Sequence, residues 1–106
     1  MKRLILFSVL ALAVIFSARG GLANDADEGK NLFARHCSIC HPSGDNIINR
    51  GKTLYSRDLI ANNITSAGAV IHVMRNPGPG MSRFDRKKIS DKDAKKIAEY
   101  ILKTFW

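Results

Sequence analysis

The sequence has few of the residues that usually cross-link or interrupt a small protein: two cysteines, three prolines and one tryptophan in 106 residues. Two cysteines exclude a disulfide-dense scaffold, because such a scaffold needs several bridges. Acidic residues are also scarce, since nine Asp and Glu stand against seventeen Lys and Arg, for a formal net charge of +8. Together with 45% hydrophobic residues, these numbers exclude a disordered acidic tail and a multidomain enzyme.

One hydrophobic run stands out, at residues 4–16, and it is too short to span a bilayer comfortably. It follows a basic start at residues 1–3 and precedes a stretch of small residues that ends at Ala23. This is the layout of a secretory signal. We therefore predict a signal peptide at residues 1–23, and a cut nearer Ala18 and an uncleaved N-terminal anchor are the alternatives.

Removal of the signal peptide on export changes the length and the net charge of the predicted mature domain, residues 24–106. Removal of the signal takes away three basic residues and no acid, which leaves 83 residues and a net charge of +5. A chain of that size buries little of its own surface and commonly needs a metal, disulfides or a cofactor to complete its core. The predicted location is the periplasm, with peripheral membrane association left open and no stable membrane insertion after cleavage.

Helical periodicity dominates the mature domain, and no strand signal is longer than three residues. We predict helices at residues 24–40, 55–62, 66–75 and 90–105, with Asn24 or Asp25, Ser56, Ser66 and Ser90 as caps. In the last helix, Lys95, Lys96 and Lys103 mark the predicted solvent side. The predicted fold class is all-α, with about four short helices in one domain.

Residues 37–41 read Cys-Ser-Ile-Cys-His, the C-x-x-C-H pattern of covalent c-type haem attachment. On a helical turn, Cys37 and Cys40 present both sulfurs on one side, where they can add to the two vinyl groups of one porphyrin. The pattern predicts one haem c, bound through these cysteines, with His41 as an iron ligand. A thiol redox pair, a zinc site and chance are the alternatives. The sequence predicts no strands, which a thiol redox domain would need, and it has no further pair of ligands to complete a zinc site.

The second axial ligand predicted from the sequence is Met81. It follows Asn-Pro-Gly-Pro-Gly, in which alternating prolines and glycines exclude helix and favour a tight loop. It also lies 40 residues after His41, far enough for the chain to wrap over the opposite face of a haem. A thioether there raises the reduction potential and closes the iron to outside ligands. Met74, on an apolar helix face, and His72 are the rivals, and an open position is the remaining alternative.

These motifs resemble those of the class I monohaem cytochromes c, closest to the small c6-like group. The resemblance is carried by Gly29, Phe33, Cys37, Cys40, His41, Gly80, Met81, Phe84 and Tyr100. It implies a small class I cytochrome c fold wrapped around one covalent haem, with Gly29 and Phe33 packed against the last helix near Ile97, Tyr100 and Ile101. Residues 76–85 look most similar to the c6-type cytochromes of dissimilatory metal-reducing bacteria, which serve respiratory electron transfer to extracellular acceptors.

Three positions depart from the family pattern. Ser82 stands where proline usually follows the methionine, which implies a looser loop and a weaker iron–sulfur bond. Pro42 follows the histidine where glycine or alanine is common, and Trp106 is not a family mark and receives no role. The family also holds the proximal imidazole through a backbone carbonyl, which we expect to come from residues 46–49.

Basic residues crowd a 14-residue stretch that follows the predicted methionine ligand. They are Arg83, Arg86, Lys87, Lys88, Lys92, Lys95 and Lys96. One interpretation is a solvated helix face with its approach loop. The other is a docking patch for an acidic redox protein near the haem edge, which would act mainly on the association rate. An exported chain is a poor candidate for nucleic acid binding, and we expect a monomer.

The predicted function is that of an exported one-electron carrier with His41 and Met81 as axial ligands, acting in respiration and, by the resemblance, in extracellular metal reduction. The alternative is a ligand-binding or sensor haem protein with a displaceable Met81, which Ser82 keeps open. A haem enzyme such as a peroxidase would need an acid–base residue above an open iron, for which His72 is the one candidate. With no nucleophile–base pair and no second cofactor motif, we expect an electron-transfer protein rather than an enzyme.

Overall fold

The computed structural model describes residues 24–106, which form four α-helices and no strand. The helices are α1 (Asp25–His36), α2 (Ser56–Ala61), α3 (Ala67–Arg75) and α4 (Asp91–Thr104), with a short 3-10 turn at Pro42–Gly44. The predicted all-α class is confirmed. The predicted signal peptide, residues 1–23, lies outside the described residues. Within the described part, none of the helices has the length and apolarity needed to cross a bilayer.

Three helices begin at the polar residues that the sequence predicts as caps. The side chain of Asn24 accepts a hydrogen bond from the Asp27 amide at 2.9 Å. Ser66 and Ser90 each accept one at 3.1 Å from the amide three residues later in α3 and α4. Each cap satisfies an amide that has no partner inside its helix, and so defines where the helix starts.

Two boundaries differ from the prediction. Helix α1 ends at His36 rather than near Cys40, because the Phe33 carbonyl accepts from the amides of both Cys37 and Ser38, at 2.8 and 3.0 Å. The motif cysteines therefore lie on a turn that follows the helix. Ser56 is the first residue of α2 and does not cap it, since Tyr55 occupies the cap position without a side-chain hydrogen bond.

The first and last helices cross at a glycine. A Cβ on Gly29 would lie 2.6 Å from the Lys96 carbonyl oxygen and 3.0 Å from Tyr100 Cβ. One turn later, the Phe33 ring packs on Tyr100 with 5.3 Å between ring centroids. This contact confirms the packing that the resemblance implies. It also closes the core, whose buried hydrophobic members are Phe33, Leu59, Val70, Met74, Ile89, Ala94, Ile97, Ala98 and Ile101.

An ion pair flanks this crossing and corrects the predicted solvent side of α4. The Lys96 ammonium bonds to the Glu28 carboxylate, and the lysine side chain is only 12% exposed. The hydrogen bond and charge of Lys96 hold the pKa of Glu28 below its usual value, and the same hydrogen bond, which Lys96 donates to Glu28, raises the pKa of Lys96. The acidic first turn of α1 thus draws Lys96 inward, whereas Lys95 remains exposed.

Replacing Gly29 with alanine is expected to destabilise the protein, because the added methyl group would meet a backbone oxygen that cannot turn away. We expect the free energy of unfolding to fall by about 1–3 kcal/mol, the usual range for overpacking a filled contact. Denaturant unfolding followed by circular dichroism measures the change.

Gly68→Ala is the matched control, since a Cβ on Gly68 in α3 would meet nothing closer than Ser66 Oγ at 3.9 Å. Alanine favours helix over glycine, so this variant should keep its stability or gain up to about 1 kcal/mol. An equal loss in both variants would contradict the close approach at Gly29.

Candidate functional site

A cavity of about 290 Å³ lies between the turn that follows α1 and the loop that follows α3. All four residues that the sequence proposes for the site, Cys37, Cys40, His41 and Met81, line it. Most of the remaining wall is apolar, and its deep side includes Val70, Met74, Phe84, Ile97 and Ile101. The fold therefore brings His41 and Met81, which are 40 positions apart in the sequence, to a single apolar site.

His41 is half-buried in the wall of this cavity. Its Nδ1 lies 2.9 Å from the backbone oxygen of Asp45. Because a carbonyl only accepts, Nδ1 carries the proton and Nε2 keeps its lone pair for another partner. Burial lowers the pKa of His41, and the bond to Asp45 opposes that effect in part. The ring is therefore held as a neutral imidazole, the form that binds metals.

The identity of this carbonyl corrects the sequence expectation of residues 46–49. The chain doubles back immediately after the histidine, so that Asp45 already reaches the ring. Asn46 instead organises the loop beyond it: its side-chain oxygen accepts from the amides of Ile48 and Asn49 at 3.0 and 2.8 Å. Its side-chain nitrogen donates to the Lys52 carbonyl at 2.8 Å. No signal in the sequence distinguishes the Asp45 carbonyl from its neighbours.

The environment of the cysteines disfavours a thiol redox pair. Both thiols are free in this structure, and burial raises the pKa of Cys37 to about 12. Redox-active cysteines need the opposite shift, because the thiolate is the reacting form. Within residues 24–106 there is also no group of three or more His, Cys, Asp or Glu side chains placed to bind a metal ion. The zinc alternative thus has no ligand set in the described part of the chain.

Met81 reaches the cavity from the loop at residues 76–83, here called the distal loop. Gly80 precedes it with a φ of +89°, a left-handed conformation that glycine adopts without strain. The two rivals differ in position. Met74 also touches the cavity, but it is only 3% exposed and belongs to the core. His72 is exposed on α3 and is not part of the cavity wall.

An arginine whose side chain is only 12% exposed, Arg75, closes the base of the distal loop. Arg75 donates from Nη1 to the carbonyls of Phe84 and Ile89, at 3.1 and 2.8 Å, and from Nη2 to the Asp91 carboxylate at 2.8 Å. Beside it, the Phe84 amide donates to the Met74 carbonyl at 2.9 Å. Sequence reasoning missed this arginine, although a lone Arg at the end of an apolar helix face is a signal for such a contact.

The other rim of the cavity is polar. The Asp58 carboxylate accepts from the Thr53 hydroxyl at 2.6 Å and from the Thr53 amide at 3.2 Å. These hydrogen bonds lower the pKa of Asp58, so the group stays ionised. Lys52 also lines this rim, and its Nζ would lie 3.9 Å from a Cβ placed on Gly78 of the distal loop. The segment that contains Lys52 and the distal loop thus meet at the mouth of the cavity.

The residues present fit a covalently bound haem. Two thiols lie on one turn, where they would hold the porphyrin edge, and apolar side chains line the space that its ring would fill. A neutral imidazole and a thioether are the donor pair suited to a low-spin haem iron. The cavity therefore contains each group that such a cofactor requires of the protein.

Known proteins match this chain over nearly all of the described part. The family described as cytochrome c oxidase, cbb3-type, subunit III matches residues 24–101. Cytochrome c6 of Synechocystis sp. is 39% identical over 95 residues, which cover 89% of this chain and 78% of the relative. Cytochrome c6 of Rippkaea orientalis is 35% identical over 104 residues, which cover 96% and 93%.

Solved structures agree with the sequence relatives. The outer membrane cytochrome F (OmcF) of Geobacter sulfurreducens has a TM-score of 0.72 and 44% identity, and the match covers 74% of this chain and 99% of that one. Cytochrome c6C of a Synechococcus sp. has a TM-score of 0.69 and 31% identity, with 74% and 94% covered. The fold is that of small c6 cytochromes, as the sequence resemblance implies.

Arg75→Lys is expected to loosen the distal loop, because one ammonium cannot reproduce the guanidinium fork that reaches two carbonyls and a carboxylate. We expect the free energy of unfolding to fall by about 1.5–3 kcal/mol, the value of a hydrogen bond to a charged group. Hydrogen exchange at the Phe84 amide should also accelerate, as measured by NMR.

The control for this variant is Arg86→Lys. Arg86 bonds to the same Asp91 carboxylate at 3.1 Å, but its side chain is 74% exposed. Exposed pairs contribute little, so this change should stay within about 0.5 kcal/mol of the unmodified protein. If both variants behave alike, Arg75 does not close the loop.

Proposed function

The chain belongs to the class I c6-type cytochrome family, and from that premise we propose that it is an exported one-electron carrier whose haem iron is bound by His41 and Met81. Its cofactor is haem c, and Cys37, Cys40 and His41 fit the C-x-x-C-H motif. The observation that carries the proposal is the meeting of these residues with Met81 at one apolar cavity.

Each proposed ligand has a defined task in such a carrier. Haem c, when bound, supplies an iron that alternates between the ferrous and ferric states. His41 would offer Nε2 to the iron while Asp45 fixes the ring by its other nitrogen, which raises the basicity of the ligand. Met81 would bind the iron through its thioether sulfur and exclude other ligands. The apolar wall would exclude water from the bound haem, which would keep the solvent reorganisation on electron transfer small.

The surroundings of the cavity favour electron transfer over catalysis. A peroxidase-like reaction needs an acid–base group above an open iron position. His72, the one candidate from the sequence, is exposed and does not line the cavity. The c6 relatives support a haem-based electron carrier.

We further propose a periplasmic location and a respiratory role. Residues 1–23 have the layout of a secretory signal, so the mature protein would begin at Asn24. The respiratory role, including delivery to extracellular metal acceptors, follows from the resemblance of residues 76–85 to the c6-type cytochromes of metal-reducing bacteria, and the 44% identity to an outer membrane cytochrome of Geobacter sulfurreducens is in keeping with it. The mature protein would act as a monomer.

The proposed docking surface combines an apolar rim of the cavity with basic residues of the stretch 83–96. Ile39 and Ile48 line the cavity and are 80% and 61% exposed, so they would surround the haem edge. Of the basic cluster, Lys96 is engaged with Glu28, and Arg86 with Asp91. Lys95 also lies 3.9 Å from the Glu99 carboxylate. The members left for an acidic redox partner are Arg83, Lys87, Lys88 and Lys92.

Optical spectra of protein exported by a host with c-type haem attachment machinery test the proposed function. The oxidised protein should show a far-red sulfur-to-iron charge-transfer band, which Met81→Ala abolishes and the core control Met74→Leu retains. Carbon monoxide should leave the reduced unmodified protein unchanged. The intact mass of the same preparation should equal residues 24–106 plus one haem.

Other results would redirect the assignment. Ready carbon monoxide binding by the unmodified protein would favour the ligand-binding or sensor function with a displaceable Met81. Absence of covalent haem would contradict the proposed function altogether.

Docking through the basic residues predicts a salt-dependent reaction with anionic oxidants. With hexacyanoferrate(III) as the probe, Lys87→Gln/Lys88→Gln should slow oxidation roughly twofold or more at low ionic strength, and the difference should vanish as salt screens the charges. The control Lys30→Gln/Arg57→Gln removes the same charge from α1 and α2 and should react close to the unmodified rate. Equal slowing of both variants would assign the effect to net charge rather than to a patch.

A further inference from the structure

The four residues after His41 form a strained turn. Here called the proximal turn, residues 42–45 include two consecutive left-handed residues, Ser43 with φ of +53° and Gly44 with φ of +87°. Glycine tolerates this conformation, but serine carries a Cβ that disfavours it. Such strain persists only where the surrounding structure holds it. The turn ends in the Asp45 carbonyl that binds His41 Nδ1, so its shape sets the position of that acceptor.

A tyrosine from the start of α2 holds the strained residue directly. The Tyr55 hydroxyl donates to the Ser43 carbonyl at 2.7 Å, across twelve positions of sequence. Next to it, the Leu54 amide donates to the Gly44 carbonyl at 2.8 Å. The carbonyls of Ser43 and Gly44 therefore both accept hydrogen bonds from the short segment that leads into α2.

An aromatic ring from the end of α4 holds the turn from its other side. A Cβ on Gly44 would lie 2.7 Å from Phe105 Cδ1, so the ring rests against the glycine backbone. Phe105 also contacts the rings of Phe33, Tyr55 and Tyr100, with centroids 5.4, 6.2 and 5.9 Å away. Rings from α1 and α4 and the residue that precedes α2 thus converge on the turn that follows the haem motif.

We propose that Tyr55 and Phe105 are positioning residues that hold the proximal turn in its left-handed form, and that they thereby tune the reduction potential through the Asp45–His41 hydrogen bond. The inference rests on the proposed ligation of iron by His41. A carbonyl held on Nδ1 makes the imidazole a stronger donor and favours ferric iron. Release of the turn weakens that bond and shifts the equilibrium toward the ferrous protein.

The test compares two tyrosine-to-phenylalanine variants of the haem-loaded protein. Tyr55→Phe keeps the ring and removes only the hydroxyl that reaches Ser43. Tyr100→Phe is the matched control, because its ring belongs to the same cluster and its hydroxyl makes no hydrogen bond within residues 24–106. For Tyr55→Phe, we expect the ferrous-to-ferric ratio at a fixed applied potential to rise roughly threefold to tenfold, which is about 28 to 59 mV for one electron.

A second readout reports the hydrogen bond itself. In proton NMR of the reduced protein, the His41 Nδ1 proton should exchange with solvent several-fold faster in Tyr55→Phe than in Tyr100→Phe. Phe105→Leu, which removes the ring from Gly44, should shift both the potential and the exchange rate in the same direction.

A rescue variant separates positioning from general loss of stability. Ser43→Gly removes the Cβ that opposes the left-handed conformation, so the double variant Tyr55→Phe/Ser43→Gly should recover a potential close to that of the unmodified protein. A potential that stays shifted in the double variant would overturn the role of strain in the turn.

The outcomes distinguish this inference from the proposed function. If the unmodified protein lacks the NMR signals of an iron-bound His41, the proposed ligation fails. If those signals are present, and Tyr55→Phe matches Tyr100→Phe in potential and exchange, only the positioning role is overturned. A Tyr55→Phe variant with lower thermal stability but an unchanged potential has the same consequence.

Discussion

The close approach of α1 and α4 at Gly29 determines how the rest of the chain is arranged. Because a backbone carbonyl of α4 occupies the space of the missing side chain, the two helices cross at that point and Phe33 meets Tyr100. The end of α1 then delivers the motif cysteines to the cavity, while the end of α4 delivers Phe105 to the turn behind them. A chain with so small a core depends on this contact to bring its two ends to one site.

The two sides of the cavity are held by different kinds of interaction. On the proximal side, hydrogen bonds from the side chains of His41 and Tyr55 to backbone carbonyls, together with aromatic rings, hold His41 and the turn that follows it. On the distal side, Arg75 joins the loop base to α4 through two carbonyls and Asp91. Hydrogen bonds from Arg86 and Arg75 lower the pKa of Asp91, so this carboxylate stays charged until the pH falls well below neutrality. The contribution of the Arg75–Asp91 ion pair to the free energy of unfolding is present above the ordinary carboxyl pKa, and it is lost as acid protonates Asp91.

Much of the fold could be predicted because its signals are local. Caps at Asn24, Ser66 and Ser90 each act on an amide three residues away, and the structure has all three. The prediction of Ser56 as a cap was wrong, because Ser56 is already the first residue of α2 and Tyr55 occupies the cap position. Lys96 was wrongly placed on the solvent side, because its partner Glu28 lies 68 positions away and no periodicity within α4 could reveal it.

The sequence by itself determined that the chain belongs to a cytochrome family and carries the C-x-x-C-H motif, and it singled out the methionine after the Pro/Gly segment as the proposed second ligand. Those features consist of residue types at short spacings, which the sequence states directly. Only the tertiary structure decided which carbonyl holds His41, which arginine closes the distal loop and which rings rest on the proximal turn. Every residue carries a carbonyl of the same kind, so the choice among them depends on the path of the backbone and not on residue identity.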